Sequence, residues 1–234
     1  MSSSVGEHLQ LTKQQLFDCA GAGRISQTGG EVIDADFALP SIDRALLPSL
    51  PSIETFVVST IGSLTTTGTN DAVTDAWLPT IERLVGSVGA WMQANGVEPT
   101  GDGYVTASVS AAGEVNGEAH FDDDQFVPDA GTGFVAIVGD IAGPRVAAEP
   151  IPHVEIQAPR PVVTDEVLIN SFAEGSIAST TYGPNELVVM PQFGQLHAGP
   201  GPSGKPDDVR HLLVYRVATV PHRSTLGSDP RVDQ

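Results

Sequence analysis

The hydrophobic positions of this chain change period near residue 100. Over residues 70–95, Trp77, Ile81, Leu84, Val85, Val88, Trp91 and Met92 recur at three- and four-residue intervals and draw one apolar stripe along a helix. Pro79 suits a first turn, so the pattern predicts a regular helix over about 79–94, stopped by Asn95-Gly96. On this periodicity Trp77 and Trp91 read as a core seam rather than a stacking platform for a ligand. Pro40, Pro48 and Pro51 punctuate residues 36–53 and predict irregular structure laid over a core.

From Tyr104 onward the period is two and the turns are rich in Gly and Pro. Residues 104–111, 115–121, 133–139, 153–158, 166–172, 186–191, 195–199 and 210–219 read as eight short strands with no helix between them. That succession predicts a mainly β protein with flanking helices, its core a double-stranded β-helix of jelly-roll or cupin-like form. Three regions follow from it. Residues 1–100 form a helical and irregular region packing on the barrel, 101–220 the catalytic barrel, and 221–234 a polar tail.

Composition narrows the function classes. The 234 residues carry 29 Asp and Glu against 11 Lys and Arg, a net charge of −18, with 40% hydrophobic residues. The hydrophobic share is that of a globular chain, and so few scattered cations exclude a basic nucleic-acid face. Cys19 is the single cysteine, which excludes an internal disulfide and fits a reducing compartment. The opening MSSSVGEHLQ has neither a basic leader nor an apolar run, and the apolar stretch 133–143 is short and carries Asp140. The expectation is a cytoplasmic protein with no membrane partner.

Candidate chemistry lies on the strands. In a strand, His120 and Asp122 point to one face about 6.5 Å apart, so an imidazole and a carboxylate converge on one ion. His197 follows after a strand ending at Pro191 and a short link. The second and seventh strands of a jelly roll lie side by side, so His197 completes a set of two imidazoles and one carboxylate. Such a set covers one face of an octahedral metal and leaves the opposite positions open, as a non-haem Fe(II) oxygenase requires. Arg210 opens the last strand, where a guanidinium holds a carboxylate bidentately. Arg216 shares that strand face and is the alternative; Arg210 is preferred on the expectation that the strand's beginning is nearer the metal. His211 alternates away from Arg210, while His153 and His222 read as solvent-facing. Asp122–Asp124 lacks the ligand alternation of an EF-hand, and the glycine-rich stretches 131–134 and 199–204 precede no helix that would cradle phosphate.

The order His120-x-Asp122, then His197, then Arg210 resembles the Fe(II)/2-oxoglutarate-dependent oxygenase superfamily, and HAGPGPSGKPDDVRHLLVYRV is similar in layout to its phytanoyl-hydroxylase-like members. The resemblance covers roughly residues 100–220. It implies Fe(II) on His120, Asp122 and His197, and the distal carboxylate of the co-substrate 2-oxoglutarate on Arg210. It also implies the reaction: O₂ and 2-oxoglutarate give succinate, CO₂ and an iron-centred oxidant that attacks a C–H bond. Halogenating members have a small residue in place of the carboxylate, so Asp122 implies a hydroxylase. Tyr104 would donate a further hydrogen bond to the co-substrate, or else is an amphipathic barrel tyrosine.

A small-molecule substrate is expected, such as an amino acid or secondary-metabolite intermediate. Residues from Val146 to Thr164 and the Pro-rich N-terminal half are candidate lids. Asp123 and Asp124 beside the metal would favour an amine-bearing substrate. Two other readings share the barrel: a cupin-like metalloenzyme without 2-oxoglutarate, which Arg210 argues against, and a catalytically silent ligand-binding barrel.

Overall fold

A computed structural model describes residues 29–59, 63–66, 70–99, 101–112, 117–122, 133–148, 165–192, 195–201 and 208–218. Strands are β1 (Glu31–Asp34), β2 (Ser52–Val58), β3 (Leu64–Thr66), β4 (Gly103–Ala111), β5 (Gly133–Gly139), β6 (Arg145–Ala147), β7 (Ser179–Thr181), β8 (Leu187–Pro191), β9 (His197–Ala198) and β10 (Val209–Ala218). Helix α1 spans Asp71–Asn95 and α2 spans Asp165–Ala173.

The strands form two antiparallel sheets, a seven-stranded one in the order β1-β8-β5-β10-β4-β2-β3 and a three-stranded one in the order β7-β6-β9. An isolated bridge between His120 and His197 adds the segment around His120 to the free edge of β9. With β4 as barrel strand one and the His120 segment as strand two, the large sheet holds strands one, three, six and eight, and the small sheet two, four, five and seven. This interleaving of two Greek keys is the jelly roll that the period-two half of the sequence predicts.

Alternation along β10 sorts the two faces of the large sheet. Leu213, Tyr215 and Val217 pack with Val105, Val109 and Phe134 against Trp77, Ile81, Leu84, Val88 and Trp91 of α1. Leu212 and Val214 face the barrel interior with Val135, Ile137, Met190 and Val146. β5 is covered on both sides, so every residue of it is buried, which explains its unbroken apolar run. The tryptophans of α1 are core, as their spacing predicts, and Trp91 meets Phe134 edge-on at 5.2 Å.

Four expectations need correction. Helix α1 begins at Asp71 rather than near Pro79, because Asn70 caps it by accepting from the Val73 amide. Pro79 therefore lies inside the helix and the buried stripe starts at Val73. Its end is as expected: Gly96 takes φ 64°, and the amides of Gly96 and Val97 close on the Gln93 and Met92 carbonyls. Residues 166–172, expected as a strand, belong to α2. Leu168 and Phe172, four apart, bury against Ala147 and Leu196 on the outer face of the small sheet. Arg145 fixes that helix, its guanidinium 4.0 Å above the Phe172 ring and donating to the Phe172 carbonyl.

The N-terminal part supplies three strands as well as irregular structure, with β1 paired to β8 and β2 to β4. Val146, expected to open a lid, is a buried residue of β6. The expected strand over 153–158, residues 149–164 of that lid, and Cys19, Asp123, Asp124, His153 and His222 lie outside the described residues. Among the described residues no helix is long and apolar enough to cross a membrane.

Candidate metal centre

The paired bridge between His120 and His197 is what builds the site. Each backbone amide donates to the other's carbonyl, at 2.9 and 3.1 Å, so the two imidazoles project from adjacent strands onto one face. Their rings lie 4.4 Å apart. His197 also pairs with Val146, whose side chain is in the barrel core, so that face is the interior. Asp122, two residues beyond His120, brings its carboxylate to 3.5 Å from His120 Nε2 and 3.7 Å from His197 Nε2. One ligand atom from each of the three residues lies within 4.8 Å of the others.

Hydrogen bonding orients all three. His120 Nδ1 contacts the Glu118 carbonyl at 2.7 Å and His197 Nδ1 the Gln195 carbonyl at 3.0 Å. A carbonyl accepts only, so each Nδ1 carries the proton and each Nε2 presents its lone pair towards Asp122. On Asp122, Oδ1 accepts from Arg216 Nη2 at 3.2 Å, whereas Oδ2 is buried with no hydrogen-bond partner. Gln192 reaches the main-chain carbonyl of Asp122 from the end of β8, at 3.5 Å.

The electrostatics point the same way. Burial pushes the Asp122 carboxyl up, but contact with His120, the His197 imidazole once acid protonates it, and the Arg216 guanidinium outweigh it, holding it well below the usual carboxylate range. Burial pushes the His197 imidazole down to about 4, against the pull of Asp122. The His120 imidazole is raised, chiefly by its contact with Asp122. At neutral pH the fully buried His197 is thus uncharged, and its lone pair faces a bare carboxylate oxygen at 3.7 Å. Two acceptors in a buried site need a cation between them, and two imidazoles with one carboxylate are the donors of a divalent transition metal. The residues present fit such an ion.

Arg210 and Arg216 lie on the interior face of β10, six residues apart, and Asp122 sits against Arg216, so the end of the strand, not its beginning as expected, is nearer the candidate metal ligands. Arg210 is fully buried and its Nη1 donates to the carbonyls of Pro200 and Gly201, at 3.0 and 2.8 Å. Its cross-strand neighbour Ser110 has a buried hydroxyl without a partner. His211 faces the other way, as alternation predicts. It contacts Asp140 at 2.6 Å, accepts from the Ile42 amide and meets Trp77 edge-on, tying β10 to the N-terminal segment and α1. Three partners were not legible in the sequence: Arg216 on Asp122, Gln192 on Asp122, and Asp140 on His211. Alternation shows that Arg216 faces inward; only the stacking of the two sheets shows that it meets Asp122.

No protein-family model and no curated protein matches the chain. Solved structures give weak likenesses. HygX from Streptomyces hygroscopicus, with nickel and 2-oxoglutarate bound, is 13% identical over 88% of this chain and 85% of its own, with a TM-score of 0.38. AviO1 from Streptomyces viridochromogenes Tue57 is 14% identical over 93% and 86%, with a TM-score of 0.37. A full-length Neurospora crassa protein in complex with alpha-KG is 12% identical over 94% and 73%, with a TM-score of 0.38.

Proposed function

We propose that this chain is a cytoplasmic Fe(II)/2-oxoglutarate-dependent oxygenase that hydroxylates a small molecule. The observation that carries the reading is the convergence of His120, Asp122 and His197 around a buried carboxylate oxygen that no protein group satisfies. When bound there, iron would supply activation of O₂ coupled to decarboxylation of 2-oxoglutarate.

The chain's own groups prepare that chemistry. The Glu118 and Gln195 carbonyls fix both rings with Nε2 inward. Arg216 engages Oδ1 of Asp122, so Oδ2 is the oxygen that would hold the metal. Arg216 being committed there, Arg210 is assigned the distal carboxylate of 2-oxoglutarate. It is buried on the same interior face, its guanidinium is held by two carbonyls, and its fork matches a carboxylate. The apolar interior formed by Val135, Ile137, Met190, Leu212 and Val146 excludes water beside the site. Asp122 would hold the metal where a halide would otherwise bind, which supports transfer of oxygen rather than halogen.

The test is succinate formation that requires added Fe(II), 2-oxoglutarate and O₂, in chloride buffer, with product mass measured. Substrate-stimulated succinate and a product heavier by one oxygen support the reading. A chlorinated product, or no succinate with any substrate, contradicts it.

A further inference from the structure

Arg210 is held from the far side of its strand as well as from within the barrel. β5 ends at Gly139, opposite Leu212 of β10, so Arg210 and His211 run past the last residue of β5. A carboxylate continues the ladder there. Asp140 Oδ1 accepts from the His211 amide at 2.9 Å, and the Asp140 amide donates to the His211 carbonyl at 3.2 Å. The His211 amide belongs to the planar peptide unit that joins it to Arg210, so fixing that N–H fixes one side of the Arg210 Cα.

The His211 side chain adds a second tie, on the face opposite the Arg210 guanidinium. Nδ1 lies 2.6 Å from Asp140 Oδ2, and Nε2 accepts from the Ile42 amide at 3.3 Å. A ring nitrogen that accepts carries no proton, so the proton is on Nδ1 and is donated to Asp140. Asp140 thus spends both carboxylate oxygens on one residue, and the Ile42 amide selects the tautomer that allows it. Trp77 meets the buried ring edge-on at 5.9 Å.

The bend that presents Asp140 also supports a carbonyl that Arg210 grips. A Cβ on Gly139 would strike the Ala142 carbonyl, so glycine is what lets the chain fold back directly after β5. That same position lies 3.6 Å from the Pro200 ring, and the Pro200 carbonyl accepts from Arg210 Nη1. Main chain and guanidinium of Arg210 are therefore both braced against residues 139–142.

We propose that Asp140 and His211 are positioning residues for Arg210, setting from the far face of β10 the guanidinium that takes the distal carboxylate of 2-oxoglutarate. The proposal rests on the oxygenase reading and on the role assigned to Arg210. Its test separates the distal carboxylate from the chelating end of the co-substrate. 2-Oxobutyrate offers iron the same 2-oxo acid but ends in a methyl group, so the ratio of its Kd to that of 2-oxoglutarate reports the distal contact alone. Both acids are titrated anaerobically into the Fe(II)-loaded full chain and followed by the visible charge-transfer band. The wild type should favour 2-oxoglutarate by at least about tenfold. His211→Phe keeps a ring against Trp77, and Asp140→Asn can accept from only one of the two His211 donors. Each should cut the ratio at least about fivefold and leave the 2-oxobutyrate Kd within about twofold. His211→Asn, which keeps an N–H near the place of Nδ1, should hold the ratio within about twofold of wild type. In an Arg210→Met background His211→Phe should change the ratio no further, since both act on one contact. An unchanged ratio in His211→Phe and Asp140→Asn, equal weakening of both acids, or an additive double variant overturns the proposal. A wild type that does not distinguish the two acids overturns it through the role of Arg210, and one without a band through the oxygenase reading.

Discussion

Asp122 has two carboxylate oxygens with different surroundings, and the difference is what suits it to hold a metal. Oδ1 is held by Arg216, while Oδ2 is buried and bare. Asp122→Ala should abolish metal binding by calorimetry. Arg216→Met, which keeps length and loses the donor, should weaken it by about 10–100-fold, as loss of a ligand's orienting partner does. Arg210→Met should leave metal affinity within about twofold and weaken 2-oxoglutarate binding at least about tenfold. If Arg216→Met instead abolished 2-oxoglutarate binding at saturating metal and Arg210→Met did not, the two roles would be reversed. The pH dependence follows from the imidazoles, which bind metal only when neutral. His120 is raised above its ordinary 6.5, and His197 is pushed down to about 4. As pH falls through the raised His120 value, metal affinity should decline about tenfold per pH unit, the slope of one competing proton. The slope should steepen only near pH 4, when His197 titrates. A two-proton slope at neutral pH would contradict this ordering.

At the scale of elements, β10 organises the molecule by alternation alone. Its inward residues carry the two arginines, and its outward ones, with His211, pack on α1. Trp77 fills that contact completely, so Trp77→Ala should cost about 3–5 kcal/mol in denaturant unfolding. Phe172→Ala should cost a similar amount and free α2 from Arg145, read as faster amide exchange over Asp165–Ala173. These elements differed in how plainly the sequence announced them. The stripe of α1 and the alternation of β4 and β10 were legible because each runs for several repeats. The start of α1 was misplaced because Pro79 resembles a first-turn proline, whereas Asn70 supplies the cap. α2 was misread because Val167 and Ile169 mimic alternation while Leu168 and Phe172 are the buried pair. β2 escaped because its core-facing side includes Glu54, a buried acid whose carboxyl burial pushes up. β6 and β7 have three residues each, too few for any period to show.

At the scale of the whole molecule, the jelly roll was readable as a count of strands, and His120, Asp122 and His197 as a spacing that only this barrel brings together. The Arg216–Asp122 contact was not readable, because it depends on how two sheets stack. The net charge of −18 belongs to the whole chain, whereas the candidate site brings one carboxylate against two imidazoles and an arginine. The central claim is that three side chains from adjacent strands hold iron with room for a chelating oxo-acid. The most direct measurement is anaerobic absorption spectroscopy of the full chain with Fe(II), before and after 2-oxoglutarate. The account predicts a weak visible charge-transfer band that appears only with both present, saturates at one iron per chain, and is lost in Asp122→Ala and His197→Ala. No band with the wild-type protein, or an equal band in those variants, would contradict it.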